Sequence, residues 1–312
     1  MQAPIVTLTM NPALDVSISV DRVVPERKLR SGPGRFDPGG GGINVTRAIR
    51  NLGGSSIAIY PLGGPTGQAY RGLADSAGIS GHVISIAGET RESFTVNETS
   101  TGAQYRFVLP GPELNEPEWR ASLSLVSDNL PRGGFLVASG SLPPGVPVDF
   151  YARLTGLAAG QDVRVVIDAS GPPLEAALAE GLFLIKPSRD ELAELIGAEG
   201  ELDTGAQLRA VHAIVADGRA EYVALSLGAG GALLAGADGT YRLSTPQVEV
   251  ASAVGAGDAF LGALVLRLAE GQPMRSAFRT AVAAGSAAAT MPASELCRAE
   301  DVVRLESELD SA

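Results

Sequence analysis

Residues 251–263 read ASAVGAGDAFLGA, a turn of small residues followed by one carboxylate and an apolar run. The pattern predicts a helix that begins near Gly257, where unpaired N–H groups and the positive end of the helix dipole face the turn formed by Gly255, Ala256 and Gly257. Such a turn can hold a phosphate or an oxyanion. Asp258 then either caps the helix or, with a pKa that we expect to be lowered, accepts a proton from a bound hydroxyl.

Outward from this stretch, apolar runs alternate with helical patterns. Strands are predicted at 5–9, 56–62, 134–139, 163–168, 182–186 and 222–227. Helices are predicted near 43–52, 67–77, 117–129, 147–159, 173–180, 189–196 and 204–217. Because several strands are apolar on both faces, as in a parallel sheet covered on both sides, the order predicts βαβ units in an α/β fold.

Two stretches interrupt this alternation. Residues 15–36 and 91–108 read as alternating strands with turns and no helix between them. They predict a small antiparallel β sheet laid over the main domain as a lid. A further hairpin is predicted to turn at Asp238-Gly239. We see no linker or repeat, so residues 1–312 are interpreted as one domain that contains the lid.

Composition excludes several classes of protein. A hydrophobic fraction of 45% predicts a folded core, whereas a net charge of −11 argues against a nucleic-acid or anionic-membrane surface. The N-terminal segment lacks the order of a signal peptide, and with one cysteine, Cys297, no internal disulfide can form. A cytoplasmic setting fits best. His82 and His212 are interpreted as structural, so acid–base chemistry falls to carboxylates or lysines.

A second glycine-rich element, DPGGGGINVTRAI, occupies residues 37–49. It lacks the Gly-Lys-Ser/Thr of a Walker A loop, and no acidic residue closes the next strand as in a dinucleotide fingerprint. The remaining interpretations are a tight βα turn and a backbone contact with a small polar ligand such as a sugar.

Seven motifs together resemble the ribokinase-like superfamily and, within it, the phosphofructokinase B (PfkB) group. They are TLTMNPALD (7–15), PGGGGINVTRAI (38–49), QYRFVLPGPELNE (104–116), SGSLPPGV (139–146), IKPSRDEL (185–192), SLGAGGA (226–232) and VGAGDAFLGA (254–263). The resemblance covers nearly the whole chain and implies a three-layer α/β/α fold, with a mostly parallel central sheet and the small β lid. Within the group, the chain looks most like the ATP-dependent 6-phosphofructokinases. The 1-phosphofructokinases typically carry a lysine where this chain has Gly41.

The resemblance also implies roles for individual residues. Asp258 would be the general base, and the amides of Gly255, Ala256 and Gly257 would form the anion hole for the transferred phosphoryl group. The hydroxyls of the sugar substrate, and the phosphate that it already carries, would be bound by Asp15, Lys28, Gly40, Gly41, Asn44, Arg91 and Ser141, with Arg106 as a weaker candidate.

For the nucleotide, the resemblance implies ATP bound through Lys186, Ser188, Ser226, Gly228 and Gly231. Glu191 would hold Mg²⁺ through water, and Ser252 with Val254 would match part of a potassium (K⁺) site. The family usually has Asn where this chain has Ser188, and Ser-x-x-Glu is itself a capping box, so a purely structural role for Ser188 and Glu191 stays open.

We therefore expect a kinase that phosphorylates fructose 6-phosphate at O1 and forms a homodimer through the lid. The alternative enzymatic activity is that of a tagatose-6-phosphate or fructose-1-phosphate kinase. A sugar-phosphate-binding regulator without turnover is an alternative of another class, and a dinucleotide oxidoreductase is weakened by the absent ribose-binding acid.

Overall fold

Nine strands build the central sheet of the computed structural model, which describes residues 1–292 and 295–309. The strands are β1 (Ile5–Leu8), β4 (Ile57–Leu62), β5 (Gly81–Ser85), β8 (Phe135–Ser139), β9 (Arg164–Asp168), β10 (Leu182–Ile185), β11 (Ala220–Ser226), β12 (Ala232–Gly236) and β13 (Gly239–Leu243). Their order across the sheet is β13-β12-β11-β10-β9-β8-β1-β4-β5, and every pairing is parallel except those of β12.

Helices cover both faces of this sheet. They are α1 (Gly41–Asn51), α2 (Gly64–Ser76), α3 (Glu116–Asp128), α4 (Phe150–Ala158), α5 (Gly171–Leu178), α6 (Arg189–Leu195), α7 (Thr204–Ala216), α8 (Ala256–Ala269), α9 (Met274–Ala289) and α10 (Ala299–Leu309). Within the described residues, no helix combines the length and the hydropathy needed to cross a membrane.

Strand side chains alternate between the two helical layers. Phe135 and Val137 pack with α1, α8, α9 and α10, whereas Leu136 and Ala138 pack with α3 to α7. All four are fully buried. The three-layer α/β/α fold is confirmed, and so is the prediction that these strands are apolar on both faces because both faces are covered.

A separate four-stranded sheet lies over one end of the central sheet. Its strands are β2 (Ala13–Val20), β3 (Arg35–Gly39), β6 (Arg91–Glu98) and β7 (Gln104–Val108), in the order β3-β2-β6-β7. The two outer pairings are antiparallel, but β2 and β6 pair in parallel. The reason is topological: β2 and β6 each follow a strand of the parallel central sheet, β1 and β5, and so leave the same edge in the same direction.

Candidate active site

The predicted site residues converge on one cavity of about 370 Å³ between the small sheet and the carboxyl edge of the central sheet. This is the edge at which ligands bind in open α/β sheets. The predicted residues that line the cavity are Asp15, Gly40, Gly41, Asn44, Arg91, Arg106, Ser141, Lys186, Glu191, Val254, Gly255, Gly257 and Asp258.

The turn before α8 has the predicted form. Gly255 is the residue before the helix and has φ 79°, a left-handed conformation that favours glycine. A Cβ on Gly257 would lie 3.2 Å from Nζ of Lys186, so the absence of a side chain there leaves room for the lysine. The first amides of α8 have no partner within the helix, and Gly255 and Gly257 line the cavity. The Ala256 amide is less available, since its N–H points to the carbonyl of Ala253 at 3.4 Å.

Asp258 lies beside Asn44, which ends the first turn of α1. Nδ2 of Asn44 donates to Oδ2 of Asp258 at 2.9 Å, although the two residues are 214 positions apart. A close crossing of α1 and α8 makes this bond possible: a Cβ on Gly262 would lie 2.8 Å from Cβ of Ala48 and 3.0 Å from the carbonyl oxygen of Val45. Gly262 therefore sets the distance between the two helix starts.

The expectation of a lowered pKa for Asp258 is wrong. Burial raises its pKa to about 7, and the nearby carboxylates Asp168 and Asp15 act in the same direction, against the hydrogen bond from Asn44 and the charge of Lys186. Desolvation and like charge thus outweigh the favourable end of the helix. The result suits proton transfer better than the expectation did, because a general base works best with a pKa near the operating pH.

A buried ion pair missed by sequence reasoning forms the floor of the cavity. Nζ of Lys186 lies 3.1 Å from Oδ1 of Asp168, and Oγ of Ser139 donates to the other carboxylate oxygen at 3.3 Å. Burial raises the pKa of Asp168, whereas for Lys186 the charges of Asp168 and Glu191 overcome burial and raise its pKa, so the lysine stays cationic. The available signal was the run VRVVID, which ends β9 on a carboxylate at the ligand-binding edge.

The small sheet supplies the other wall. Burial raises the pKa of Asp15 to about 6, against the charges of Arg106 and Arg91. Arg91 donates to the backbone carbonyls of Leu109 and Asn11 at 3.0 and 2.9 Å. Asn11 also donates from Nδ2 to Oγ of Ser141 at 3.1 Å, and its own Oδ1 is buried without a partner among the described residues. Asn11 was missed by sequence reasoning.

Of the residues predicted to bind the nucleotide, Lys186 lines the cavity, whereas Ser188, Ser226, Gly228 and Gly231 do not. Ser188 caps α6 through its side chain and forms a complete capping box with Glu191, whose Oε2 accepts from the Ser188 amide at 2.7 Å. The structural role left open for this pair is therefore present, although Glu191 still lines the cavity. Ser226 bridges to Ser188, and Gly228 begins the short 3₁₀ turn that follows β11.

Three other predicted residues also lie outside the cavity lining: Lys28, Ser252 and Ala256. Lys28 is exposed on the irregular segment 21–34 between β2 and β3. Ser252 is buried, and its Oγ accepts from the Val254 amide at 3.1 Å. Gly231 lies at the end of the 3₁₀ turn with φ 95°.

Comparisons with known proteins agree with this geometry. Residues 6–300 match the model of the pfkB family carbohydrate kinases. The ATP-dependent 6-phosphofructokinase isozyme 2 of Mycobacterium tuberculosis is 45% identical over 300 residues, which are 96% of this chain and 88% of that protein. A 1-phosphofructokinase of Xanthomonas campestris is 34% identical over 272 residues, 86% of this chain and 85% of the relative.

Solved structures of phosphofructokinase-2 from Escherichia coli are 39% identical and cover 99% of both chains. The complex with potassium has a TM-score of 0.94, the complex with fructose 6-phosphate 0.93, and a tetrameric inhibited form 0.92. With the family model spanning nearly its whole length and a relative at 45% identity, this chain belongs to the pfkB family of carbohydrate kinases.

Proposed function

We propose that this carbohydrate kinase transfers the γ-phosphoryl group of ATP to O1 of fructose 6-phosphate, giving fructose 1,6-bisphosphate, a reaction of glycolysis. The observation that carries the proposal is the position of Asp258. It lies at the start of α8, bonded to Asn44 at 2.9 Å, in a cavity whose opposite wall presents Arg91 and Arg106. The names of the M. tuberculosis and E. coli relatives support the same reaction.

The chain's own groups account for the chemistry. Asp258 accepts the proton of the attacking hydroxyl, and a pKa of about 7 lets it do so near neutrality. The amides of Gly255, Ala256 and Gly257, at the positive end of α8, stabilise the charge on the transferred phosphoryl group. Lys186 adds a cation beside them. Positioning and charge stabilisation are what phosphoryl transfer chiefly requires.

Sugar recognition falls to the wall formed by the small sheet and the second glycine turn. Asp15 and Asn44, with the backbone at Gly40 and Gly41, are proposed to bind the hydroxyls. Two groups near the cavity mouth suit the substrate phosphate: the Arg91 guanidinium and the hydroxyl of Ser141, which accepts from Asn11 and so keeps its own hydrogen for a ligand. Arg106 adds a further positive charge at the same wall. Lys28, exposed outside the cavity, stays a prediction for this phosphate.

On the nucleotide side, Lys186 is proposed to bind phosphate oxygens, with Ser188, Ser226, Gly228 and Gly231 beyond it. Mg²⁺ prefers carboxylate and water oxygens, and the carboxylates of Asp168 and Glu191 line the same cavity beside Lys186, which fits that ion. Bound there, Mg²⁺ would neutralise the nucleotide phosphates. A potassium ion is proposed at the loop of Ser252 and Val254, which the potassium complex of the E. coli protein supports.

Kinase activity on tagatose 6-phosphate or fructose 1-phosphate is the second candidate. The resemblance to a 1-phosphofructokinase favours it, whereas Gly41 in place of the typical lysine disfavours it. A regulator without turnover is disfavoured because Asp258 and the glycine turn are both present.

Initial rates on the three sugar phosphates, measured by coupling ADP formation to NADH oxidation with and without K⁺, test the assignment. We expect the highest kcat/KM for fructose 6-phosphate. A higher kcat/KM for tagatose 6-phosphate or fructose 1-phosphate would make that sugar phosphate the assigned substrate. The absence of turnover on all three would favour a sugar-phosphate-binding regulator.

We also propose a homodimer formed through the small sheet, in the cytoplasm, where the single cysteine stays reduced. One face of that sheet leaves large apolar side chains uncovered: Phe36 and Phe107 are 52% and 55% exposed. A second copy would cover them and the open strand edges. Light scattering after size exclusion should give twice the chain mass, and Phe107→Glu should shift it toward one chain; a wild-type monomer would reject the dimer.

A further inference from the structure

We propose that Arg47 is a positioning residue for phosphoryl transfer: it fixes the orientation of the Asn44 side-chain amide, and through it the charge state of Asp258. This inference rests on the proposed role of Asp258 as general base. Arg47 does not itself line the cavity; it donates to Asn44, which does, and its proposed effect on Asp258 passes through that residue.

The amide of Asn44 lies between two groups of opposite hydrogen-bonding character. Nη1 of Arg47 donates to Oδ1 of Asn44 at 3.2 Å, and Nδ2 of Asn44 donates to Oδ2 of Asp258 at 2.9 Å. A guanidinium has only donors, and an ionised carboxylate has only acceptors. One orientation of the amide therefore satisfies both neighbours, and the flipped orientation satisfies neither.

Helix geometry and the small sheet hold Arg47 in place. Asn44 and Arg47 are three residues apart on α1 and so lie on the same face. The Arg47 side chain is 13% exposed, and it also donates to the carbonyl of Pro38 and to Oδ1 of Asp37, at 3.4 and 3.5 Å. Arg35 in turn clamps Asp37 at 2.7 and 3.1 Å. The guanidinium that orients Asn44 is thus anchored to β3, at the base of the small sheet.

Loss of Arg47 would remove the donor-only group that faces Oδ1 of Asn44. The amide could then flip and present its oxygen to Asp258, which favours the protonated carboxyl. The other charged groups that face Asp258 are Asp168, Lys186 and Asp15. They stay in place in an Arg47 variant, although the pKa of Asp15 rises when the charge of Arg47 is lost. A change in the titration of Asp258 would therefore report the amide together with the lost charge, and the double-mutant cycle below separates the two.

The test compares the pH dependence of kcat/KM for fructose 6-phosphate in wild type, Arg47→Met, Arg47→Lys and Arg50→Met. We expect the acidic limb of Arg47→Met to move upward by about 1–2 pH units, the equivalent of one hydrogen bond to a charged group. Arg47→Lys, again donor-only, should restore most of the shift. Arg50→Met removes a cation from the exposed last turn of the same helix and should leave the limb unchanged. The substrate's own titration is common to all four proteins.

A double-mutant cycle separates orientation from simple charge. In an Asn44→Ala background, Arg47→Met should shift the limb by less than about 0.2 pH unit, because the amide through which Arg47 acts is absent. An equal shift with and without Asn44 would show a direct charge effect and overturn the proposal, as would an unchanged limb in Arg47→Met.

Failure of the proposed function gives a different result. If Asp258→Asn keeps wild-type turnover, Asp258 is not the base; if that variant is inactive while Arg47→Met titrates as wild type, only the role of Arg47 is wrong. Should Arg47→Met not fold, Arg47→Gln takes its place. Its amide can offer a donor or an acceptor and no longer dictates the orientation of Asn44, so an upward shift is again expected and its absence rejects the proposal.

Discussion

The central sheet and the small sheet contribute to the same cavity in different ways. The central sheet supplies groups that are buried and mutually paired, as Lys186 and Asp168 are at 3.1 Å. The small sheet supplies Arg106, which is exposed, and Arg91, whose guanidinium bonds to backbone carbonyls. This difference indicates a division of work, in which the central sheet and the start of α8 hold the groups for phosphoryl transfer and the small sheet selects the sugar phosphate.

The strongest test of this division is Asp258→Asn. Removal of the general base should lower kcat by about 10²–10⁴-fold while the KM values for sugar and ATP change little, since the amide side chain keeps the shape of the site. Steady-state kinetics at pH 7.5 measures both. A kcat within threefold of wild type would show that Asp258 is not the general base, and the proposed division of work would then fail.

The opposite signature is expected from the small sheet. Arg91→Ala should raise KM for fructose 6-phosphate by about 30–150-fold, the equivalent of about 2–3 kcal/mol for a charge-assisted contact, with a much smaller change in kcat. Arg71→Ala removes an exposed arginine from α2 and serves as the control. If KM is unchanged in Arg91→Ala, this arginine does not bind the substrate.

A smaller effect on kcat is expected from Gly262→Ala, which touches no predicted ligand. Its Cβ would meet Ala48 and the Val45 carbonyl at 2.8 and 3.0 Å, so α8 must move away from α1 and the Asn44–Asp258 hydrogen bond must lengthen. We expect a loss of about 3–10-fold in kcat, the equivalent of about 1 kcal/mol. Gly72→Ala, a helical glycine with open space around it, is the matched control. A wild-type kcat in Gly262→Ala would show that the distance between α1 and α8 does not affect catalysis by Asp258.

The smallest effect is expected in thermal stability, and it compares two carboxylates: Asp258 at the start of α8 and Asp15 in the small sheet. Burial raises the pKa of Asp258 to about 7 and that of Asp15 to about 6, so the folded state holds protons that the unfolded state has released. Stability attributable to these groups is complete below about pH 4 and is lost as the pH rises through the folded pKa values.

Each Asp→Asn variant should therefore gain more Tm over the wild type at pH 8 than it does at pH 5. The gain is expected to be about 2–5 °C for Asp258→Asn and less for Asp15→Asn, because the shift of Asp15 is smaller. Differential scanning calorimetry at both pH values measures it. Equal Tm changes at pH 5 and pH 8 would contradict the raised pKa values.

Much of the fold could be predicted because its signals are local. The alternation of apolar runs and helical patterns placed six strands and seven helices close to their observed bounds, and the hairpin at Asp238-Gly239 joins β12 to β13 as predicted. The edge strand β5 was missed, since GHVIS carries neither an apolar run nor a clear alternation. The parallel pairing of β2 with β6 was also missed, because strand direction depends on where the chain leaves the central sheet.

The candidate site divides in the same way. Asp258 and Asn44 were predicted because they stand in motifs that resemble a family, and Arg91 because it matches a position of that family. The cavity brings the three together. Asp168 was not singled out, because a carboxylate after a buried strand has no distinct pattern until Lys186 is seen to approach it at 3.1 Å.

By itself, the sequence determined the layered α/β architecture, the glycine turn before α8 and the family, since periodicity, turn chemistry and motif order are properties of neighbouring residues. Tertiary structure alone decided the pKa of Asp258, the ion pair of Asp168 with Lys186, and the chain of contacts from Arg47 to the proposed base. Those properties depend on desolvation and on charges brought together from distant positions, and such distances exist only after the helices and sheets have packed.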